Sequence, residues 1–400
     1  MKTLCVMGSV SRLNGGVFEA ERNLQRELAR GPNYRVQVVG LRDQFSDVDL
    51  PEWLPLTPVV CSVRGPSAFG YSSELMKILL DSKSDLAYCA GLWKYPSWAV
   101  LRWANETGHP MIVAPHGMLD AWALRNSGSK KMIAGWLYQT AQLRKVVCLR
   151  AICHSEAQSI RAYGLKNPVC IIPYGIDLPE AQHGRCLGEK HPFSIVKKEG
   201  KKILLYLGRL HPKKGIANLL KSWASIQSSP SSIADHQPSQ WFLAIAGWDQ
   251  GNYENELRRR AAEYGMEHSV LFLGPRFKDE KAACYRNCDA LVLPSFSEGT
   301  PMVVLEAWSY GKPILMTPEC NLPEGFAAHA AVRVETRPES IRQGLQVLFE
   351  MSEADRQAMG QRGLKLVSER FTWSRVASQM RDLYTWVAGG GPKPSTMEFF

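Results

Sequence analysis

Along the first 180 residues, short apolar runs alternate with stretches whose apolar positions recur every three or four residues. "TLCVMG" leads into "VFEAERNLQRELARG", "LAYCAGLW" into "WAVLRWANETG", and "MIVAPHG" into "KKMIAGWLYQTAQLRKV", before "AICHS" and "CIIPYG". Short unbroken apolar runs predict strands buried on both faces, and the helical period predicts the helices that cover them. Strand and helix in regular alternation predict a doubly wound parallel sheet. Ser155 and Gln158 read as a capping box opening "SEAQSIRAYG", which Gly164 then terminates.

The period fades over residues 181–200, "AQHGRCLGEKHPFSIVKKEG", and restarts with "KILLYLG", "FLAIAG", "VLFLG", "ALVLP" and "PILMT", each followed by an amphipathic stretch. This predicts an α/β chain of two Rossmann-like domains: residues 1–180, a linker at 181–200, and residues 201–369. A C-terminal helix over 370–388 and a flexible tail, 389–400, complete the chain. "SSPSSIADHQPSQ" reads as a polar loop within the second domain. Two such sheets facing each other would place a ligand cleft at the carboxyl ends of their strands.

Composition narrows the class. The 400 residues are 45% hydrophobic, enough for two cores. The opening residues lack the pattern of a signal peptide, and no apolar run reaches the roughly eighteen residues of a membrane span. Ten cysteines occur without a CxxC pair, and Cys284 with Cys288 lacks the second pair of a zinc set, so they read as reduced thiols of a cytoplasmic protein. The net charge of +10 is uneven, with 24 basic and 17 acidic residues before position 201 and 24 and 21 after it.

Candidate chemistry lies in the loops. "GRLHPKKG", residues 208–215, joins a strand to a helix, so Arg209 and Lys214 stand beside free amide groups at a positive helix end. That combination suits a diphosphate, although solvated loop cations read equally well. In "SFSEGTPMVVLEAWSYGKPIL" a helix is predicted to begin near Met302, with Glu298 just ahead of it and Glu306 one turn inside. A carboxylate accepts two hydroxyl hydrogens of a vicinal diol, so two glutamates suit the sugar and the ribose of a nucleotide sugar. Glu306 falls within the apolar run "MVVLEAW", where a charge needs a partner or a ligand.

These segments, with "IAGWDQG", "VLFLGPRF", "DALVLP" and "RFTWSRVASQMRDLYTW", resemble family 4 of the retaining glycosyltransferases, which have the GT-B fold. "GLWKYPSWAVLRWA", "VAPHGMLDAWAL" and "VCIIPYGID" are similar to its bacterial exopolysaccharide, capsule and lipopolysaccharide members. The resemblance implies a central cleft between the domains and a C-terminal helix that returns to the first. It implies a nucleotide-sugar donor held by Arg209, Lys214, Gly247, Arg276, Glu298, Gly299, Thr300, Met302, Val303 and Glu306, with Gly15 and Gly16 approaching from the first domain. Asn14, Trp93, Tyr95, His116 and Asp120 would form the acceptor side, and His116, Glu298, Arg209 and Lys214 the catalytic set. Tyr174 departs from the pattern, which usually has Asn at the interdomain turn. No metal or other cofactor is expected.

Other motifs carry less. "DVD", Asp47–Asp49, imitates a metal-binding pair but reads as a solvated turn, and "GPSAFGYS" has phosphate-loop glycines without the lysine. The rival readings are an epimerase acting on nucleotide sugars, a transferase-like protein without activity, and a basic protein binding glycan or nucleic acid. No nucleic-acid module is recognisable. Residues 121–150 hold six basic and no acidic side chains, interleaved with Trp122, Trp136 and Tyr138. Either this stretch lies on an anionic membrane surface, or Met132, Trp136 and Leu137 pack into the core and the cations face water. The expected acceptor is a glycan or a lipid-diphosphate-linked saccharide, at the inner face of the plasma membrane.

Overall fold

The computed structural model describes residues 1–125, 128–179, 193–227, 240–249 and 251–398. It divides into two compact units, Met1–Gly175 with Trp373–Phe400, and Ile176–Thr372.

The first unit is built on parallel strands β1 (Lys2–Met7), β2 (Arg35–Leu41), β3 (Val59–Cys61), β4 (Leu86–Ala90), β5 (Met111–Ala114), β6 (Cys148–Ala151) and β7 (Val169–Ile171). Their spatial order is β7-β6-β5-β4-β1-β2-β3. Strand β4 is buried at every position, as its unbroken apolar sequence requires when helices cover both faces. Helix Trp373–Val387 returns to this unit and packs on helix Gly16–Ala29, burying Trp373, Val376, Met380, Leu383 and Tyr384. Each such large side chain contributes roughly 1.5–3 kcal/mol. Gly175 lies where the units divide, and a Cβ there would meet the Trp373 ring at 2.6 Å.

Four expectations are corrected here. The tail is ordered through Glu398: Met397–Glu398 pairs antiparallel with β7, and Ile171 N donates to Thr396 O at 2.9 Å, giving partners to a sheet edge. The helix at residue 154 has no capping box. Its N-cap is Cys153, and Glu156 reaches back instead to accept from Ile152 N at 2.7 Å. Asp49 is not solvated but buried, bound to the backbone and guanidinium of Arg12. Finally, helix Phe193–Lys198 occupies the second half of the expected linker and buries Phe193 and Val196 in the core of the second unit. Residues 180–192 and the polar segment 228–239 lie outside the described residues.

The second unit carries β8 (Lys202–Leu207), β9 (Trp241–Ala246), β10 (Val270–Gly274), β11 (Ala290–Leu293), β12 (Ile314–Met316) and β13 (Ala331–Arg333). All are parallel, in the order β10-β9-β8-β11-β12-β13. Among the described residues no helix is long and apolar enough to cross a membrane, and no cluster of side chains is arranged to hold a metal ion. Nine free cysteines are described, all buried.

Candidate functional site

In the second sheet the strand order reverses between β8 and β11, so the loops that follow these two strands diverge at their carboxyl ends and leave a crevice. Lys214 comes from the first loop and Glu298 from the second, and they meet there: Lys214 Nζ lies 2.5 Å from Glu298 Oε1. Ser295 Oγ donates to the same oxygen at 2.6 Å, and Asn321 Nδ2 holds the Glu298 carbonyl at 2.6 Å. Main-chain bonds tie the neighbouring loops together, with Gly208 N on Ala246 O, Leu210 N on Trp248 O, Gly247 N on Gly274 O and Phe296 N on Lys213 O.

Two glycines permit this closeness. A Cβ on Gly247 would stand 1.8 Å from Gly208 O, and one on Gly215, whose φ is +70°, would stand 2.1 Å from Pro294 O. Arg209 is exposed, its guanidinium over the Trp248 ring at 5.8 Å. The loop carries a positive field. His211 titrates below its usual value through burial and then through the charges of Arg209, Lys213 and Lys214, and its Nδ1 accepts from Lys213 N. The three cations, unlike the burial, also favour an anion beside them.

Helix Met302–Ser309 starts after Pro301, as the sequence predicts. The amides of Met302 and Val303, in its first turn, have no acceptor inside the helix. One turn on, Glu306 receives Lys281 Nζ at 2.5 Å and Tyr285 OH at 2.6 Å, so the charge in the apolar run is partnered. Burial, and next the Glu306 charge, push the Tyr285 hydroxyl well above its ordinary pKa, which keeps it a donor. Lys281 and Tyr285 were not found from sequence, since only the register of helix Lys278–Asn287 against Glu306 reveals them. Arg276 is turned to its own loop, donating to Leu273 O at 2.8 Å and pairing with Glu280 at 3.2 Å. Gly299 is exposed and Thr300 buried.

The first unit offers a separate half-site at its own reversal point, between β1 and β4. Gly8, Asn14, Gly91, Leu92, Lys94 and Met118 line a pocket there. Lys94 is the cation of this pocket, and no local motif marks it between Trp93 and Tyr95. The turn before helix Gly16–Ala29 is anchored by buried Asp49 on Arg12 and by Asp43, which accepts from Ser11 Oγ at 2.8 Å. Gly15, at φ +58°, and Gly16 have open space where a side chain would stand, so a ligand can approach their backbone closely. Trp93, with φ +73°, donates its amide to Gln139 Oε1 at 2.7 Å, and its carbonyl accepts from Tyr138 OH. Tyr95 is buried against Trp98, and Asp120 closes the turn from Gly117 and directly precedes helix Ala121–Arg125, its carbonyl accepting from Leu124 N.

His116 adopts a left-handed backbone, φ +51°, and its imidazole is wholly buried. Nδ1 lies 2.9 Å from Tyr174 OH and Nε2 lies 3.3 Å from Glu21 Oε1. The same Glu21 oxygen receives Tyr88 OH at 2.8 Å and Arg150 Nη1 at 3.1 Å. Burial acts to raise the Glu21 pKa, but hydrogen bonding from His116 and the Arg150 charge outweigh it and hold it down to about 2. Tyr174, the departure from the family pattern, thus supplies a partner to His116. Gly117 N, next in the chain, donates to Glu156 Oε1 at 2.6 Å.

Known proteins agree with this architecture. Residues 188–366 match the family described as glycosyl transferases group 1, and residues 15–175 match the glycosyl transferase 4-like domain. The chain belongs to the GT-B-fold glycosyltransferases related to these two families. It is 29% identical to a D-inositol 3-phosphate glycosyltransferase of Corynebacterium glutamicum over 188 residues, 46% of this chain and 43% of that one. It spans less than half the length of the first curated relatives it matches. In fold it is similar to Anabaena HepE, solved in complex with UDP and glucose, at a TM-score of 0.74 and 17% identity over 96% of this chain and 100% of that one. It is also similar to the lipopolysaccharide outer core galactosyltransferase WaaB, at a TM-score of 0.67 and 16% identity over 96% and 99% of the two chains.

Proposed function

We propose that the protein is a retaining glycosyltransferase that moves a hexosyl group from a nucleotide sugar to a hydroxyl of a glycan or lipid-diphosphate-linked acceptor. Its setting would be bacterial surface polysaccharide biosynthesis, in the cytoplasm at the inner face of the plasma membrane. The observation that carries the reading is the meeting of Lys214 and Glu298 at the crevice between β8 and β11, beside Arg209.

A diphosphate laid along this crevice meets Arg209, Lys214 and the first-turn amides of helix Met302–Ser309. These groups supply the positive charge that stabilises the departing phosphate. Glu298 accepts from hydroxyls of the donor sugar and Glu306 from those of the ribose. The acceptor oxygen bonds to the anomeric carbon on the face from which the carbon–phosphate oxygen bond breaks. The bonding pair and the acceptor proton both pass to that phosphate oxygen. Retention follows without a covalent enzyme intermediate. On the first unit, Asn14 and Lys94 line the pocket offered to the acceptor.

The decisive experiment incubates the protein with a panel of nucleotide sugars and candidate acceptors, and analyses the products. A glycoside of retained anomeric configuration together with one equivalent of nucleoside diphosphate is expected. A free epimer with no glycoside would replace this reading with epimerisation.

A further inference from the structure

Residues 128–145 form one helical segment, Gly128–Ala134, a wider π turn Gly135–Gln139, and Thr140–Lys145. Apolar side chains stand on both of its faces. Inward it sets Gly135, Tyr138, Gln139, Gln142 and Leu143, with both glutamines completely buried. Gln139 accepts from Trp93 N and donates to Gln142 Oε1 at 2.5 Å. Outward it sets Met132, Ile133, Trp136 and Leu137, which are 72%, 57%, 85% and 61% exposed. Positions i, i+1, i+4 and i+5 share one side of a helix, so the four form a single apolar strip. The packing of Met132, Trp136 and Leu137 into the core, one of the two sequence readings, is therefore overturned. The buried glutamines already fill the inward positions.

A Trp so exposed beside three aliphatic side chains marks an interaction surface. The charge around it selects the partner. Arg125, Arg144 and Lys145 are exposed and Lys131 is partly so, and from 121 to 150 the chain has no acidic residue. Arg150 is withdrawn from this set by its burial against Glu21. Side chains of Trp122 and Lys130 lie outside the described residues.

We infer that the strip Met132, Ile133, Trp136 and Leu137 inserts into the headgroup region of an anionic phospholipid bilayer, with Arg125, Lys131, Arg144 and Lys145 against lipid phosphates. An apolar face flanked by cations and carrying a Trp is the composition of an interfacial helix. Each basic residue near an anionic surface strengthens binding about fivefold. The inference deepens the reading of a transferase with a lipid-linked acceptor by naming the surface that would bring the enzyme to it.

The test is sedimentation of the full-length protein with vesicles of phosphatidylcholine alone and of phosphatidylcholine mixed with phosphatidylglycerol, at low and high salt. Binding is expected only with the anionic vesicles, weakening as salt rises. The variant Trp136→Ser with Leu137→Ser should lower the vesicle affinity at least about tenfold. Since both side chains are exposed, it should keep its melting temperature and its protection by a bound nucleotide sugar. The inference is overturned if the wild type does not sediment with anionic vesicles, or if the variant sediments equally well. Concentration-dependent dimerisation that the variant abolishes, without vesicle binding, overturns it in favour of a second copy of the chain. Vesicle binding needs no donor or acceptor, so its failure leaves the transfer reaction standing, and absence of transfer leaves the membrane surface standing.

Discussion

Glu298 and Glu306 are chemically identical but differently held. Glu298 shares one oxygen between Lys214 and Ser295, while Glu306 divides its two oxygens between Lys281 and Tyr285. If Glu306 binds ribose and Glu298 the sugar, Glu306→Gln should weaken both the free nucleoside diphosphate and the intact donor by about tenfold, or ~1.4 kcal/mol. Glu298→Gln should weaken only the intact donor. Calorimetric titration with both ligands checks this, and equal losses in both variants would sink the division of roles. At Lys214 the effect should fall on the chemical step, because negative charge grows on the phosphate as the bond breaks. Lys214→Ala is expected to lower kcat by about a hundredfold or more, with a smaller change in donor affinity. Wild-type kcat in that variant would remove Lys214 from the leaving-group site. The glutamate in an apolar run was legible as a charge in need of a partner. The partner itself was not, since Lys281 stands 25 residues away and reaches it only through helix packing.

The strand-to-helix loops place a glycine for two different reasons, and the same substitution separates them. Gly247 is pressed against Gly208 O, so Gly247→Ala must push two loops apart and should destabilise the second unit by more than about 2 kcal/mol. Gly16 begins its helix with nothing within 4 Å of a Cβ. There Gly16→Ala should leave stability unchanged or raise it by about 0.4–1 kcal/mol, while weakening any ligand that rests on the loop. Urea unfolding and donor-protection assays run on both variants would distinguish a glycine kept for packing from one kept for access. Loss of stability in Gly16→Ala would contradict the second role. The family resemblance marks both glycines as donor-side positions. Their opposite surroundings depend on which other loops arrive beside them, which no local pattern encodes.

The Glu21 cluster joins segments spread along the whole first unit: helix Gly16–Ala29, strands β4 and β6, the His116 turn and Tyr174. Its carboxylate has a folded pKa of about 2 against an ordinary 4.5. A depressed carboxylate stabilises the fold fully above its unfolded value and loses that contribution as pH falls towards its folded value. Stability should therefore decline from about pH 4.5 towards pH 2, by roughly 3 kcal/mol from this group. Glu21→Gln should cost about 3–5 kcal/mol at neutral pH, because Arg150 stays buried without its counter-charge, and should flatten the acid decline. Denaturant midpoints across that pH range check both effects. A variant as acid-sensitive as the wild type would place the responsible group elsewhere. The sequence marks His116 as a candidate by its motif and Tyr174 only as a departure from the family pattern at another turn. That the two touch depends on bringing together side chains 58 positions apart.

The alternation of apolar runs and amphipathic stretches determined two wound parallel sheets, because a strand covered on both faces must be apolar throughout and a covering helix only along one side. The loop sequences likewise determined a strand-to-helix turn at 208–215 and a helix beginning at Met302, since glycine, proline and capping preferences act over a few residues. Tertiary structure decided what neither period nor motif contains. It turned Trp136 and Leu137 outward and Gln139 and Gln142 inward, because the inner side had hydrogen-bonding backbone to satisfy at Trp93. It removed Arg150 from the surface charge and paired it with Glu21 across 129 residues. It ordered the last strand, whose pairing partner at β7 stands over 200 residues earlier. Local preferences reach one turn of helix or one strand, whereas burial and ion pairing are set by whatever the folded chain brings within a few ångströms.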